Sequence, residues 1–198
     1  MTQTLVLASA SPRRLDLLRQ IGLIPNLVEP ADIDESARPR ELPAEVALRL
    51  ARGKALAVAA RHPGAWVLGA DTVVACGRRV LAKAEDAAEA RRFLALLSGR
   101  RHRVHGGVSI IDPTGRQRAR RIVTTVSFKR LTSQEIDRYI ESDEWQGKAG
   151  AYAIQGLAGA FVTSVNGSYF NVVGLPLYET LSLLRGSGFR HPEIPARE

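Results

Sequence analysis

Residues 66–75, WVLGADTVVA, do most to decide the fold of this chain. The run is apolar and rich in β-branched side chains, which is typical of a buried strand, and Gly77 then turns the chain into a short strand at residues 79–81. Asp71 interrupts the run, although an unpaired carboxylate in such a strand carries a large desolvation cost. An aspartate there is suited to bind a divalent metal or to accept a proton from water. A strand-edge residue or a helix cap is the structural alternative.

Strands and helices alternate on both sides of this stretch. Further strands are predicted at residues 4–8, 26–29, 104–111 and 119–128, with a hairpin from residue 161 across Asn166 and Gly167. Helices are predicted at residues 13–21, 43–61, 87–97, 133–142 and 173–184, and the second of these offers Val46, Leu50, Leu56 and Val58 to the core. Thr132 and Glu135 form a capping box. The alternation, followed by clustered strands, predicts an α/β fold with a mixed sheet flanked by helices.

The composition indicates one cytoplasmic domain. A chain of 198 residues, 45% of them hydrophobic, can bury one core, and we assign residues 1–189 to it and 190–198 to a disordered tail. The sequence lacks both an apolar run of the roughly 18 to 20 residues needed to span a bilayer and a basic leader, so we predict no membrane partner. Cys76 is a lone thiol, and a half-buried strand position explains it better than nucleophilic catalysis.

The positive charge predicts an anionic partner. The formal net charge is +8 and the isoelectric point about 10.3, yet 24 of the basic residues are arginines and only four are lysines. Such a bias weakens the inference to nucleic acid, and no aromatic stacking set accompanies the arginine clusters, so we expect no stable nucleic-acid complex. The four histidines are not spaced as a metal set, and His102 and His105 are expected to face solvent or a neighbouring strand.

Residues 7–14, LASASPRR, favour an anion site. A strand that ends in small hydroxyl residues and passes into a helix N-terminus brings together free amides, the helix dipole and the hydroxyls of Ser9 and Ser11. Arg13 and Arg14 add donors suited to phosphate oxygens. The alternative is an N-cap serine followed by two solvated arginines.

Other chemical groups lie elsewhere in the chain. Glu35 is the natural second carboxylate beside Asp71, although Asp32 and Asp34 compete for that role. Lys54 and Lys83 can neutralise charge on a transferring phosphoryl group, but a lone lysine is more often a surface residue. The amide of Gln155, in a loop of small residues, can read the edge of a base.

Five blocks in this order resemble the Maf proteins, also called septum-formation-inhibitor-like proteins. They are LASASPRR at residues 7–14, RLARGKA at 49–55, LGADTVV at 68–74, KAGAYAIQG at 148–156 and NGSYFNVVGLPL at 166–177. The resemblance implies a nucleoside triphosphate pyrophosphatase with a two-lobed α/β fold of the inosine triphosphatase type and a cleft between the lobes. It also implies a divalent cation, Mg²⁺ or Mn²⁺, as cofactor, and members often form homodimers.

The resemblance extends to individual residues. Arg13, Thr72 and Gln155 match the dTTP/UTP branch, because the branch that prefers methylated guanosine triphosphate has tryptophan, glutamine and glutamate at these positions. The family's general base corresponds to Asp71 and its neighbouring acid to Glu35, which together would hold the metal. Its phosphate-binding lysines correspond to Lys54 and Lys83. The family usually has proline after that second lysine, and this chain has Ala84, which leaves the placement of Lys83 in doubt.

Three functions follow as hypotheses. In the first, water attacks the α-phosphorus of dTTP or UTP with Asp71 as general base, and Ser9, Arg13, Arg14, Lys54 and Lys83 carry the developing charge. The second is a basic module that binds RNA or DNA. The third is a regulatory protein that binds a nucleotide to restrain cell division, which absence of turnover would distinguish from the enzyme.

Overall fold

The fold is built on one mixed sheet of seven strands. A computed structural model describes residues 3–190. The strands are β1 (Leu5–Ala8), β2 (Leu27–Val28), β3 (Trp66–Cys76), β4 (Arg79–Leu81), β5 (Arg101–Ile111), β6 (Gln117–Phe128) and β7 (Val162–Asn166). Their order across the sheet is β2-β1-β3-β5-β6-β7, with β4 paired to β3. β1 is parallel to both β2 and β3, and the other pairings are antiparallel, which confirms the predicted α/β class with a mixed sheet.

Helices cover both faces of the sheet. They are α1 (Pro12–Gln20), α2 (Pro43–Ala59), α3 (Ala87–Leu97), α4 (Ser133–Glu141), α5 (Tyr169–Val173) and α6 (Leu177–Gly186), with a 3₁₀ turn at Leu157–Phe161. Alternate residues of β3 separate the two layers: Val67 packs with α2, whereas Leu68 belongs to the large core formed with α1, α3, α4 and α6. The capping box of Thr132 and Glu135 at the start of α4 is confirmed.

Two glycines let α2 lie directly on the sheet. A Cβ at Gly69 of β3 would lie 2.4 Å from the carbonyl oxygen of Ala51, and one at Gly107 of β5 would lie 2.1 Å from that of Ala47. Only a residue without a side chain allows the helix backbone to come so close. Because α2 lies so close to the sheet, Lys54, three residues after Ala51 on the same helix, lies over the middle of β3.

The C-terminal predictions were partly wrong. No hairpin crosses Asn166 and Gly167 among the residues described, because β7 pairs with β6 and Ser168 then caps the short helix α5. The predicted final helix is broken as well: Gly174 has φ of 143°, a conformation that other residues rarely adopt, and α6 begins only after Pro176.

One prediction about burial was also wrong: Leu56 is 53% exposed, because α2 turns that position away from the sheet. His102 and His105 are buried, which excludes the solvent alternative for them. The ring of His102 contacts Phe128 of the neighbouring strand β6 and Tyr152. Cys76 is half-buried at the end of β3, as predicted. In the part of the chain that the structure covers, no helix has the length and apolar character to cross a membrane. Apart from Arg190, the predicted tail lies outside the described residues.

Candidate active site

A gap along one edge of β3 opens into a cleft. β5 occupies one edge of this strand over residues 67–75. On the other edge, β1 pairs as far as Gly69, and β4 begins to pair only at Val74. Among the described residues, no strand therefore pairs with residues 70–73 on that side, and a cleft of about 680 Å³ opens there. β3 continues beyond the gap at both ends, where it pairs with β1 and with β4. Asp71 and Thr72 lie in the gap.

The cleft brings together every site residue that the sequence predicted. They come from α1 and the turn before it, the loop ahead of α2, α2 itself, β3, the segment after β4 and the loop before the 3₁₀ turn: Ser9, Ser11, Arg13, Arg14, Glu35, Lys54, Asp71, Thr72, Lys83 and Gln155. The competing acids Asp32 and Asp34 do not line it. Five cationic and two carboxylate side chains face the cleft, so its charge suits a polyanion.

The two carboxylates converge on one ammonium group. Lys54 Nζ lies 2.7 Å from Asp71 Oδ1 and 2.7 Å from Glu35 Oε1. Lys54 and Asp71 are both 8% exposed, whereas the Glu35 side chain is about half exposed. Partial burial raises the pKa of Glu35, but the hydrogen bond and charge of Lys54 outweigh it, so the net pKa lies below the ordinary value. Glu35 is therefore the acid of this loop that shares the Lys54 ammonium group with Asp71.

Arg14 is buried at the candidate anion site and connects the elements that form it. Its Nε donates to the carbonyl of Gly174 at 2.9 Å, and its two terminal nitrogens donate to Ser9 Oγ at 3.0 Å and Thr72 Oγ1 at 3.3 Å. Burial lowers the pKa of Arg14, and the negative charge of Asp71 opposes that shift. A guanidinium carries five N–H donors, so two remain for a ligand. Arg14 therefore links α1 to β3 and to the turn after α5 through buried hydrogen bonds, and it is not a solvated arginine.

The start of α1 leaves other donors available. Ser11 is the N-cap residue, but its side chain makes no capping hydrogen bond, while its amide donates to Ser9 Oγ at 3.2 Å. Toward the part of the chain that the structure describes, Arg13 uses only Nε, which donates to the carbonyl of Val173 at 3.3 Å. The Ser11 hydroxyl and the terminal nitrogens of Arg13 can therefore bind a ligand.

Lys83 is held by the segment that also carries Gln155. Its backbone forms an antiparallel bridge with Ala149, and the amide of Gly150 lies 3.0 Å from the carbonyl of Leu81. A Cβ at Gly150 would lie 2.8 Å from a methyl group of Val74, so glycine permits this close contact. These bonds fix the backbone that the family's proline would otherwise stiffen, so Ala84 does not displace Lys83 from the cleft.

Lys148 also lines the cleft, and no role was predicted for it. Burial lowers the pKa of its ammonium, and the positive charge of Arg13 lowers it further. A signal was present in the sequence, because Lys148 is one of only four lysines in an arginine-rich chain and begins the block of small residues KAGAYAIQG.

The two carboxylates of the cleft are the groups that could hold a metal ion. Residues 3–190 contain no group of three or more histidine, cysteine or acidic side chains arranged as a metal site. Mg²⁺, however, is commonly held by one or two carboxylates and completed by water and substrate phosphates. Glu35 Oε1 and Asp71 Oδ1 contact the same nitrogen atom and therefore lie close together, which fits an ion of that kind.

The sequence matches a known protein family and several named relatives. The family model described as "Maf-like protein" matches residues 4–187. The dTTP/UTP pyrophosphatase of Paramagnetospirillum magneticum is 63% identical over 93% of this chain and 97% of its own length. That of Rhodospirillum rubrum is 61% identical over 94% of this chain and 89% of its own. Among solved structures, the Ham1 protein of Staphylococcus aureus is 16% identical, with a TM-score of 0.46 over 64% of this chain and 72% of that chain. On the family match and these two relatives, the chain belongs to the Maf family.

Proposed function

We propose that this chain hydrolyses dTTP and UTP to the nucleoside monophosphate and pyrophosphate. Two relatives that carry the name dTTP/UTP pyrophosphatase are more than 60% identical to it over nearly their whole length. The observation in the structure that carries the proposal is the convergence of Glu35, Lys54 and Asp71 beside an arginine-rich anion site in one cleft.

The cleft is suited to a triphosphate. Within residues 3–190, no carboxylate lies at ion-pair distance from Arg13, Lys83 or Lys148, so their charges are available to phosphate oxygens. Ser9 and Ser11 add hydroxyl groups at the start of α1, where the helix dipole also favours an anion. Preorganised cations of this kind stabilise the charge that develops as the phosphoryl group is transferred.

Asp71 is the proposed general base. A water molecule attacks the α-phosphorus, and its proton passes to the carboxylate of Asp71. The bond between the α-phosphorus and the bridging oxygen breaks, and pyrophosphate leaves with that oxygen. Lys54 holds the Asp71 carboxylate in place from α2, and the same ammonium fixes Glu35. A divalent cation bound by Glu35 and Asp71 would neutralise charge on the phosphate oxygens.

Arg13, Thr72 and Gln155 are the proposed determinants of the base. Thr72 Oγ1 accepts from Arg14 and lies 3.4 Å from the carbonyl of Gly174, so its methyl group and hydroxyl are held in one orientation. Gln155 is exposed on the cleft wall and carries both a donor and an acceptor. Such a pair complements the edge of uracil or thymine, which presents an N–H between two carbonyl oxygens.

The test is a panel of nucleoside triphosphates assayed with Mg²⁺ or Mn²⁺, and again with a chelator. We expect pyrophosphate from dTTP and UTP, little from the purine nucleotides, and loss of activity without metal. Orthophosphate with a nucleoside diphosphate would contradict the proposed bond cleavage. A preference for methylated guanosine triphosphate would contradict the assigned branch.

A further inference from the structure

The segment that carries Gln155 is anchored by side chains from other elements. The amide of Ala153 donates to Tyr139 Oη of α4 at 3.0 Å, and Tyr152 Oη lies 2.8 Å from His102 Nε2 of β5. Tyr139, Tyr152 and His102 are all at most 5% exposed. Burial raises the pKa of Tyr139 to about 12, so its hydroxyl stays neutral. The side of the segment that precedes Gln155 is therefore fixed to the core.

The other side is anchored by Glu144. Its Oε2 accepts from the amide of Leu157 at 2.8 Å. A Cβ at Gly156 would lie 2.1 Å from the same oxygen, so the carboxylate packs directly on the backbone that follows Gln155. The Glu144 contact requires glycine at that position.

Gln155 thus lies midway between two fixed amides, those of Ala153 and Leu157, each two residues away. Glu144 itself is not among the residues that line the cleft. Its carboxylate therefore influences a bound base through the backbone that places the Gln155 amide, while its negative charge separately opposes the lowering of the pKa of Lys148 by burial.

We infer that Glu144 is a positioning residue for base recognition. The inference rests on the proposed function and extends it. When Leu157 loses its acceptor, the backbone after Gln155 gains freedom, and the amide of Gln155 spends less time in the orientation that matches a thymine edge. Arg14, Lys54 and Asp71 are held by α1, α2 and β3. Lys83 and Lys148 lie closer to this segment but act on phosphates that both pyrimidine nucleotides share, so a ratio between two such nucleotides isolates the effect on the base.

The experiment compares three variants of the full chain. Glu144→Ala removes the acceptor, Glu144→Gln keeps a carbonyl oxygen for the Leu157 amide, and Glu141→Ala is a control that removes an exposed glutamate three residues earlier. We would measure kcat and KM for dTTP and dCTP, which are both pyrimidine nucleotides but have opposite hydrogen-bonding groups at position 4, a carbonyl acceptor in thymine and an amino donor in cytosine. Activities would be expressed per folded molecule from thermal melting.

For Glu144→Ala we expect the ratio of kcat/KM for dTTP over dCTP to fall about tenfold, chiefly through a higher KM for dTTP, as for the loss of one hydrogen bond at the base. Glu144→Gln should restore the ratio, and Glu141→Ala should not change it. Faster hydrogen exchange of the Leu157 amide should accompany the loss.

Three results would overturn the inference: an unchanged ratio in Glu144→Ala, an equal loss of kcat for both nucleotides, or a Glu144→Gln variant that behaves as Glu144→Ala does. Wild-type protein that does not distinguish dTTP from dCTP would instead refute the proposed base recognition itself. Failure of the inference would appear in the Glu144 variants and failure of the proposed base recognition in the wild type, so the two are distinguishable.

Discussion

Lys54 and Asp71 form a buried ion pair at the centre of the cleft, with 2.7 Å between Nζ and Oδ1. Both side chains are 10% exposed, and they come from different layers of the fold, α2 and β3. Removal of one partner from a buried pair leaves an uncompensated charge, so the pair links the stability of the protein to its proposed chemistry.

Asp71→Asn should reduce activity about 100- to 10,000-fold, the usual contribution of a positioned acid or base. The melting temperature should hold, because Lys54 still pairs with Glu35 and the asparagine oxygen can accept from it. Turnover and thermal melting would be measured together. Asp112→Asn is the control: Asp112 Oδ1 accepts from the amides of Thr114 and Arg116 in a turn, so stability should fall while turnover per folded molecule stays normal. An Asp71→Asn variant that is destabilised but keeps normal turnover per folded molecule would show that Asp71 is a structural residue.

Lys54→Met should lower the free energy of unfolding by about 3 kcal/mol, because two neighbouring carboxylates then lose the ammonium group that both contact. Adding Asp71→Asn should recover part of that loss, since one of the two charges is removed. Urea denaturation of the wild type, both single variants and the double variant gives the coupling energy. Strictly additive effects would show that the pair does not stabilise the fold.

Lys148→Met should raise KM for dTTP about tenfold and change kcat less, as expected for the loss of one charge-assisted contact to the substrate. Lys129→Met is the matched control, because Lys129 pairs with Glu135 and does not line the cleft. Steady-state kinetics on both variants tests the assignment. An unchanged KM in Lys148→Met would exclude a role in substrate binding.

Gln155→Glu should lower the preference for dTTP over a purine nucleotide while leaving the fold intact. The substitution replaces the amide donor with a charged acceptor, which cannot bind a carbonyl of the base. Ratios of kcat/KM for dTTP and dGTP would be compared, with Gln20→Glu, on the exposed end of α1, as control. If the ratio is the same as in wild type, Gln155 does not contact the base.

The buried His102 should make the protein less stable below neutral pH. Burial lowers the pKa of His102 to about 4, against about 6.5 for an unperturbed histidine. Between these values the unfolded chain takes up a proton that the folded protein excludes, so the free energy of unfolding falls with decreasing pH, by up to about 3 kcal/mol from this group. His105, whose pKa is lowered by burial and by Arg103 and Arg121, acts in the same direction.

Urea denaturation across this pH range tests the prediction, with His102→Gln expected to show a shallower dependence than wild type. An NMR titration would show directly whether the ring stays neutral at pH 6. A ring protonated at that pH in the folded protein would contradict the expected effect.

Much of the local structure was predictable from the sequence. Alternating and β-branched runs located β1, β3, β5 and β6, and Pro12, Gly22 and the Thr132 capping box marked ends of helices. These features depend on neighbouring residues alone. The lone acid of β3 also identified the centre of the cleft, because a carboxylate in an apolar strand needs a partner wherever the strand lies.

Which partner it has was decided only by the tertiary structure. Asp71 pairs with a lysine 17 residues earlier because two glycines let α2 approach the sheet, and Arg14 reaches the carbonyl of Gly174, 160 residues away. The core also buried His102, and Gly174 divided a predicted helix. A sequence pattern indicates which residues of one helix or strand are buried. These contacts instead depend on distances between elements, which are set only when the layers pack together.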